Sequence, residues 1–150
     1  MTTVFTDVRI KRFLEMRGDD AGRPDMMIAQ SAFWTGLLYD ESALEAAAAL
    51  MRKGSPSDYL ALRGAVPELA LDAPWGMGTV RDLARDLVVI AEQGLRARGR
   101  LDCEGRDERI YLDPLLPLVH GAPTQAEFWL QRYKGEWQGD VRHIFPESSV

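Results

Sequence analysis

Apolar side chains recur at every second position near the start of the chain and at every third or fourth through much of the remainder, so the pattern predicts one strand followed by helices. In VRIKRFLEMRGDD, residues 8–20, a strand places Val8, Ile10, Arg12, Leu14 and Met16 on one face. The other face then carries Arg9, Lys11, Phe13, Glu15 and Arg17. GDDAGRPD reads as a loop from its Gly, Asp and Pro content, and Pro24 suits the first turn of a helix that runs, largely buried, through DMMIAQSAFWTGLLYD. ESALEAAAALMRKG is a second helix, with Ser42 and Glu45 at capping-box spacing and Arg52, Lys53 and Gly54 as its stop.

Ser55 caps a third helix with Pro56 at its first position, and Gly64 weakens its end. PELALDAPWGMG breaks regular structure. The longest helix follows over residues 79–97, with Thr79 and Asp82 at capping-box spacing and Leu83, Leu87, Ile90, Ala91 and Leu95 as its apolar stripe. Gly94 and Gly99 fray its end. LDCEGRDERIYLDP is a loop with one short strand at residues 109–112, PLLPLVHGAP holds at most a short helix, and Thr124 with Glu127 caps a last helix, QAEFWLQRYKG. The expected architecture is mainly α, five or six helices to one or two β-strands, in a single domain of residues 1–150. One or two strands make a marginal sheet, so the opening strand calls for partners that the chain itself does not supply.

Composition narrows the class. A chain of 150 residues with 46% hydrophobic and 27% charged residues is a globular domain with a real core. A net charge of -5 argues against nucleic-acid binding over the whole surface. A single cysteine, Cys103, forms no internal disulfide, no run approaches a membrane span, and no signal peptide is evident, which points to a cytoplasmic protein with no membrane partner.

The candidate chemistry lies on the opening strand. Glu15 is a hard oxygen ligand suited to magnesium, and Arg17, projecting from the same face, offers a planar fork for phosphate or carboxylate. Metal and arginine side by side are what phosphoryl transfer requires. The competing reading is a solvated strand face with an internal ion pair. WGMGT, before the long helix, has the look of a phosphate-cradling turn but lacks a third glycine and a lysine, so a plain helix entry is favoured. His120 is expected to be a partly buried structural residue and His143 a surface one. Cys103, between Asp102 and Glu104, has acidic neighbours that disfavour a thiolate. Trp34, Trp129 and Trp137, with Met26 and Met27, read as core more readily than as a pocket lining, and Arg81, Asp82, Arg85 and Asp86 as a solvated helix face with local ion pairs. Trp34 and Tyr39 fit either packing or substrate contact.

From DVRIKRFLEMRGDD through SAFWTGLLYD, TVRDLARD, LDP and RYKGEW to IF, the chain resembles the C-terminal third of a glutamate–cysteine ligase of the plant and proteobacterial kind. Even MTTVFTDVR is similar to the interior of that longer protein. The resemblance implies part of an α+β, glutamine-synthetase-like catalytic fold, with residues 1–20 as active-site strand and loop and 24–150 as a helical region. It also implies an ATP-dependent reaction: glutamate is phosphorylated on its γ-carboxylate, and the amine of cysteine attacks to give γ-glutamylcysteine for glutathione biosynthesis. The E-x-R motif of that family implies Glu15 as a magnesium ligand and Arg17 as a catalytic residue at the phosphate or glutamate end; strand alternation alone adds Arg9 and Lys11 on the same face as further substrate- or phosphate-binding groups. Mg2+ and ATP would then be held only together with an N-terminal portion, without which the chain is expected to be inactive. WGMG departs from the family's basic FRGR-like turn. The alternative is a non-catalytic helical module derived from that family that binds a partner protein or regulates a full-length ligase. The open strand edge further predicts self-association or pairing with the N-terminal ligase portion.

Overall fold

The computed structural model describes residues 7–19 and 22–148, so residues 1–6, Asp20 and Ala21 of the first loop, and residues 149–150 lie outside it. The opening stretch is a hairpin instead of one long strand. Strand β1 (Val8–Ile10) pairs antiparallel with β2 (Leu14–Met16), with Val8 opposite Met16, Arg9 opposite Glu15 and Ile10 opposite Leu14. Residues 11–13 make the turn, the Lys11 N–H donating to the Phe13 carbonyl (2.9 Å), and the Arg17 N–H donates to the Asp7 carbonyl (2.7 Å) beyond the strands. The chain therefore supplies the first partner of its own opening strand.

Helix α1 (Pro24–Leu38) begins on Pro24, and α2 (Glu41–Met51) begins on Asp40, whose carboxylate accepts from the Ala43 N–H (2.9 Å). The expected cap at Ser42 thus gives way to the residue before the helix, where an acceptor reaches the orphan amides. Helix α3 (Pro56–Leu69) has the reciprocal Ser55–Asp58 capping box and runs on through Pro67, further than its sequence predicts. Proline in a last turn removes only one intrahelical bond. The chain then leaves the helix at Ala70, with φ of 48°, into a 3-10 turn (Ala70–Asp72).

WGMG forms a second hairpin, β3 (Pro74–Trp75) with β4 (Gly78–Thr79), turning at Gly76 where φ is +58°. Helix α4 (Val80–Arg98) follows with the Thr79–Asp82 capping box and a left-handed Gly99 at its end. The strand expected at residues 109–112 is a 3-10 stretch (Glu108–Leu115): Asp107 caps it through the Arg109 N–H (2.9 Å), and it drives Leu112 into the core. The strand-like pairing in this region is a single bridge, Leu101 to Asp107. Helix α5 (Leu116–Val119) is one turn, α6 (Gln125–Lys134) carries the Thr124–Glu127 capping box, and α7 (Ile144–Glu147) is a final turn. The described residues are mainly helical, with four very short strands in two antiparallel pairs.

The core lies where α1 crosses α4 over the 3-10 stretch. Leu37, Ala47, Ala91, Leu95 and Leu112 are buried there, with Phe33, Trp34, Leu87 and Ile90 packed around them. Gly94 does not fray α4 but lets it touch α1: a Cβ on Gly94 would stand 1.9 Å from the Gly36 carbonyl oxygen, and one on Gly36 would stand 2.3 Å from that of Ala91. The predicted stripe is thus the packed face. The polar side of α4 carries the expected local pair, Arg85 with Asp82 (2.9 Å), and leaves Asp82 and Asp86 exposed, but its two arginines also reach across to other elements. Arg81, with a side chain 13% exposed, donates to the Leu118 and Ala122 carbonyls and pairs with Asp72 (3.0 Å), while Arg85 donates to the Val119 carbonyl (3.0 Å). These arginines satisfy carbonyls left open at the end of α5, a task for long cationic side chains at a helix C-terminus.

Candidate functional site

The first hairpin gathers the charges singled out by sequence. Cross-strand pairing puts Arg9 and Glu15 on one face, and Arg9 Nε stands 2.5 Å from Glu15 Oε2. Lys11 Nζ lies 3.9 Å from the same oxygen. Arg9, Lys11 and Glu15 do meet, but through a fold-back across the turn, whereas a single alternating strand would have spread them along its length. Asp7, opposite Arg17 by backbone pairing, was missed by sequence, since only the hairpin register brings it there. Asp7 also faces Arg63 of α3 (3.9 Å).

The hydrogen bond from Arg9 holds the Glu15 carboxyl below the usual range, and the charges of Arg9, Lys11 and Arg17 add to the effect. The Arg9 guanidinium is raised in turn by the Glu15 hydrogen bond. Glu15 is therefore ionised at neutral pH on a rim where cations outnumber it. Such a rim attracts an anion with oxygens to share, such as a phosphate or carboxylate. Among the described residues no group of three or more His, Cys, Asp or Glu side chains could hold a metal ion. Glu15 fits a magnesium ion as one oxygen donor, and a near-octahedral shell needs several more.

The other candidates resolve differently. At WGMGT the Thr79 N–H and hydroxyl both donate to the Asp82 carboxylate (2.9 and 2.8 Å), so the helix start is already capped. The adjoining cleft of about 270 Å³ presents Asp58, Asp82 and Asp86 beside Lys53, the wrong sign for phosphate. His120 is exposed, not partly buried, because α5 ends one residue before it. His143 is also exposed and stacks on Trp137 with ring centroids 6.0 Å apart. Trp137 is buried and stacked on Trp129, Trp34 packs against the core, Met26 is half-buried and Met27 exposed. Tyr39 is exposed under the Arg98 guanidinium, 5.3 Å from its ring centroid. Cys103 is exposed on a turn organised by Asp102, whose carboxylate accepts from the Glu104 and Arg106 N–H groups (2.8 and 2.9 Å), Arg106 Nε (2.9 Å) and the Tyr111 hydroxyl (3.0 Å). No helix among the described residues is long and apolar enough to cross a membrane.

The chain matches the model of glutamate-cysteine ligase family 2 (GCS2) over residues 1–147. It is similar to the chloroplastic glutamate–cysteine ligase of Arabidopsis thaliana, 37% identical over 147 residues that make up 98% of this chain and 27% of that protein. It is 36% identical to the chloroplastic enzyme of Brassica juncea with the same coverage of each chain. Against glutamate–cysteine ligase A of Oryza sativa subsp. indica it is 35% identical, over 98% of this chain and 29% of that one. The chain spans little more than a quarter of the length of these relatives. Their chloroplastic naming overturns the cytoplasmic expectation, which rested on absent signals alone.

Proposed function

Since the chain belongs to the glutamate-cysteine ligase family 2, we propose that its first hairpin is one wall of a ligase active site that uses ATP, glutamate and cysteine, within a glutamine-synthetase-like catalytic fold. The other walls belong to the part of a full-length ligase that this chain does not match. The observation that carries the reading is the Arg9–Glu15–Lys11 cluster, an ionised carboxylate ringed by cations on an exposed face.

In the reaction, the γ-carboxylate oxygen of glutamate bonds to the terminal phosphorus of ATP and ADP leaves. The amine of cysteine then attacks the acyl carbon, phosphate departs, and the amine loses a proton as γ-glutamylcysteine forms. Negative charge builds on the oxygens around phosphorus and later on the carbonyl oxygen. Magnesium, when bound, screens the phosphate oxygens. Glu15 would offer it one oxygen ligand, with Arg9 and Lys11 holding that carboxylate in position across the turn. Arg17 orients the phosphoryl group or the glutamate carboxylate, for which a planar fork is suited.

The test is a chimera in which this chain replaces the matched segment of the Arabidopsis relative, assayed for ADP release with glutamate and cysteine. Glu15→Gln is expected to lower turnover by about 100-fold or more, the scale of losing one electrostatic contact to developing charge, with unchanged circular dichroism. Arg17→Lys keeps the charge and loses the fork, and is expected to fall between the two. Turnover indifferent to both changes would refute the assignment and favour a non-catalytic module.

A further inference from the structure

Helix α3 stands apart from the core, and none of its 14 residues is buried. Leu60 is 73% exposed, and Val66 and Leu69 are exposed with it. It is seated by Tyr59, whose hydroxyl donates to the Met51 carbonyl (2.6 Å) and whose ring lies 5.0 Å from that of Trp75. A helix of this length is marginal in water without a packed face. Leu60, Gly64 and Pro67 fall at i, i+4 and i+7, on one stripe. A Cβ on Gly64 would meet nothing within 4 Å, whereas the helical glycines Gly36 and Gly94 sit against backbone. Glycine is a poor helix former, tolerated inside a helix chiefly where another backbone comes close. At Gly64 the glycine is present and no neighbour is. Arg63 of α3 lies 3.9 Å from Asp7 at the foot of the first hairpin, where Val8, Ile10, Phe13 and Leu14 are exposed.

We propose that the stripe of Leu60, Gly64 and Pro67, together with the apolar residues of the hairpin, is the docking surface for the part of a full-length ligase that this chain does not match. The inference rests on the ligase reading above. Two observations select that occupant over a second copy. The Arabidopsis match leaves about three quarters of that protein's length outside this chain, and the hairpin that needs further active-site walls is the one whose foot, at Asp7, faces Arg63 of α3.

Gly64→Lys distinguishes the covered helix from the bare one by the sign of its effect. In the chain alone, lysine enters open space and improves helix propensity, so the thermal midpoint holds or rises by a few degrees. In the chimera with the Arabidopsis relative the same side chain meets the docked backbone, and the midpoint falls by about 5 °C or more. Equal shifts in chain and chimera overturn the proposal, as does a chain that dimerises alone and loses dimerisation with Gly64→Lys. Where the chimera does not melt cooperatively, amide exchange of α3 is compared between the chain alone and the full-length chimera. Exchange slowed tenfold or more supports docking, and unchanged rates overturn it. Glu15-dependent ADP release with no Gly64 effect sinks the docking surface alone, whereas an inactive chimera that remains sensitive at Gly64 sinks the catalytic reading alone.

Discussion

Replacing Gly94 with alanine probes the contact on which the core depends. The added methyl would sit 1.9 Å from the Gly36 carbonyl oxygen, 2.9 Å from its carbon and 3.0 Å from the Ala43 methyl. Carbon and oxygen meet comfortably at about 3.3 Å, so α1 and α4 must part by about 1.4 Å along that line. A gap of that size strips Leu37, Ala91 and Leu95 of much of their dispersion contact. Overpacking costs about 3 kcal/mol at a site this rigid, and the gain in helix propensity on leaving glycine offsets about 1 kcal/mol. The net loss is about 2 kcal/mol, read by urea titration followed by circular dichroism, or as a thermal midpoint lowered by about 4–8 °C. Gly64→Ala is the internal control: the chemistry is identical, the surroundings are open, and the expected change is a gain of about 0.5–1 kcal/mol. A Gly94→Ala protein as stable as the parent would refute the close crossing.

Two further outcomes follow from local chemistry. Asp40→Ala is expected to lower stability by about 1 kcal/mol in the same titration and Ser42→Ala to change it little, because the Ala43 N–H is held by Asp40. The Asp102 carboxyl is held well below the usual range, foremost by the Arg106 backbone N–H and then by the Arg106 guanidinium, the Tyr111 hydroxyl and the Glu104 N–H. A depressed native pKa adds stability above the unfolded value near about 4 and loses it as pH falls toward the native one. Urea titrations between neutral and acid pH should therefore show a shallower decline for Asp102→Asn than for the parent, and parallel declines would count against the Asp102 cage.

Long periodic helices and their caps were legible in the sequence because their signals are local. Thr79 with Asp82 and Thr124 with Glu127 announce their helices within four residues, and the stripe from Leu83 to Leu95 faces the core as its spacing predicts. The first hairpin was hidden because its turn, Lys11, Arg12 and Phe13, contains none of the Gly, Asn or Asp residues that signal one. Residues 109–112 alternate like a strand, yet Asp107 caps them into a 3-10 stretch, and among the described residues no strand pairs with them. Arg81 and Arg85 looked like surface charges because the carbonyls they serve, at Leu118, Val119 and Ala122, are more than thirty residues away. Of the candidate site, the residue types were legible and the grouping was reached by the wrong route. Glu15 meets Arg9 because the strand turns back, and for that reason Asp7 entered unnoticed.

The reciprocal caps at Ser55, Thr79 and Thr124 bear on how anything anionic reaches this protein. Each closes a helix start with its own carboxylate, so the positive ends of those three helices are neutralised from within. In a chain of net charge -5, an approaching polyphosphate meets repulsion over much of the surface and attraction at the cationic hairpin rim. At physiological ionic strength the long-range repulsion is screened beyond about 8 Å, while contact-range attraction persists. On the reading proposed above, the hairpin would act as a short-range funnel governed by the last few ångströms of approach, and moderate salt would cost it less than it would cost a uniformly basic surface.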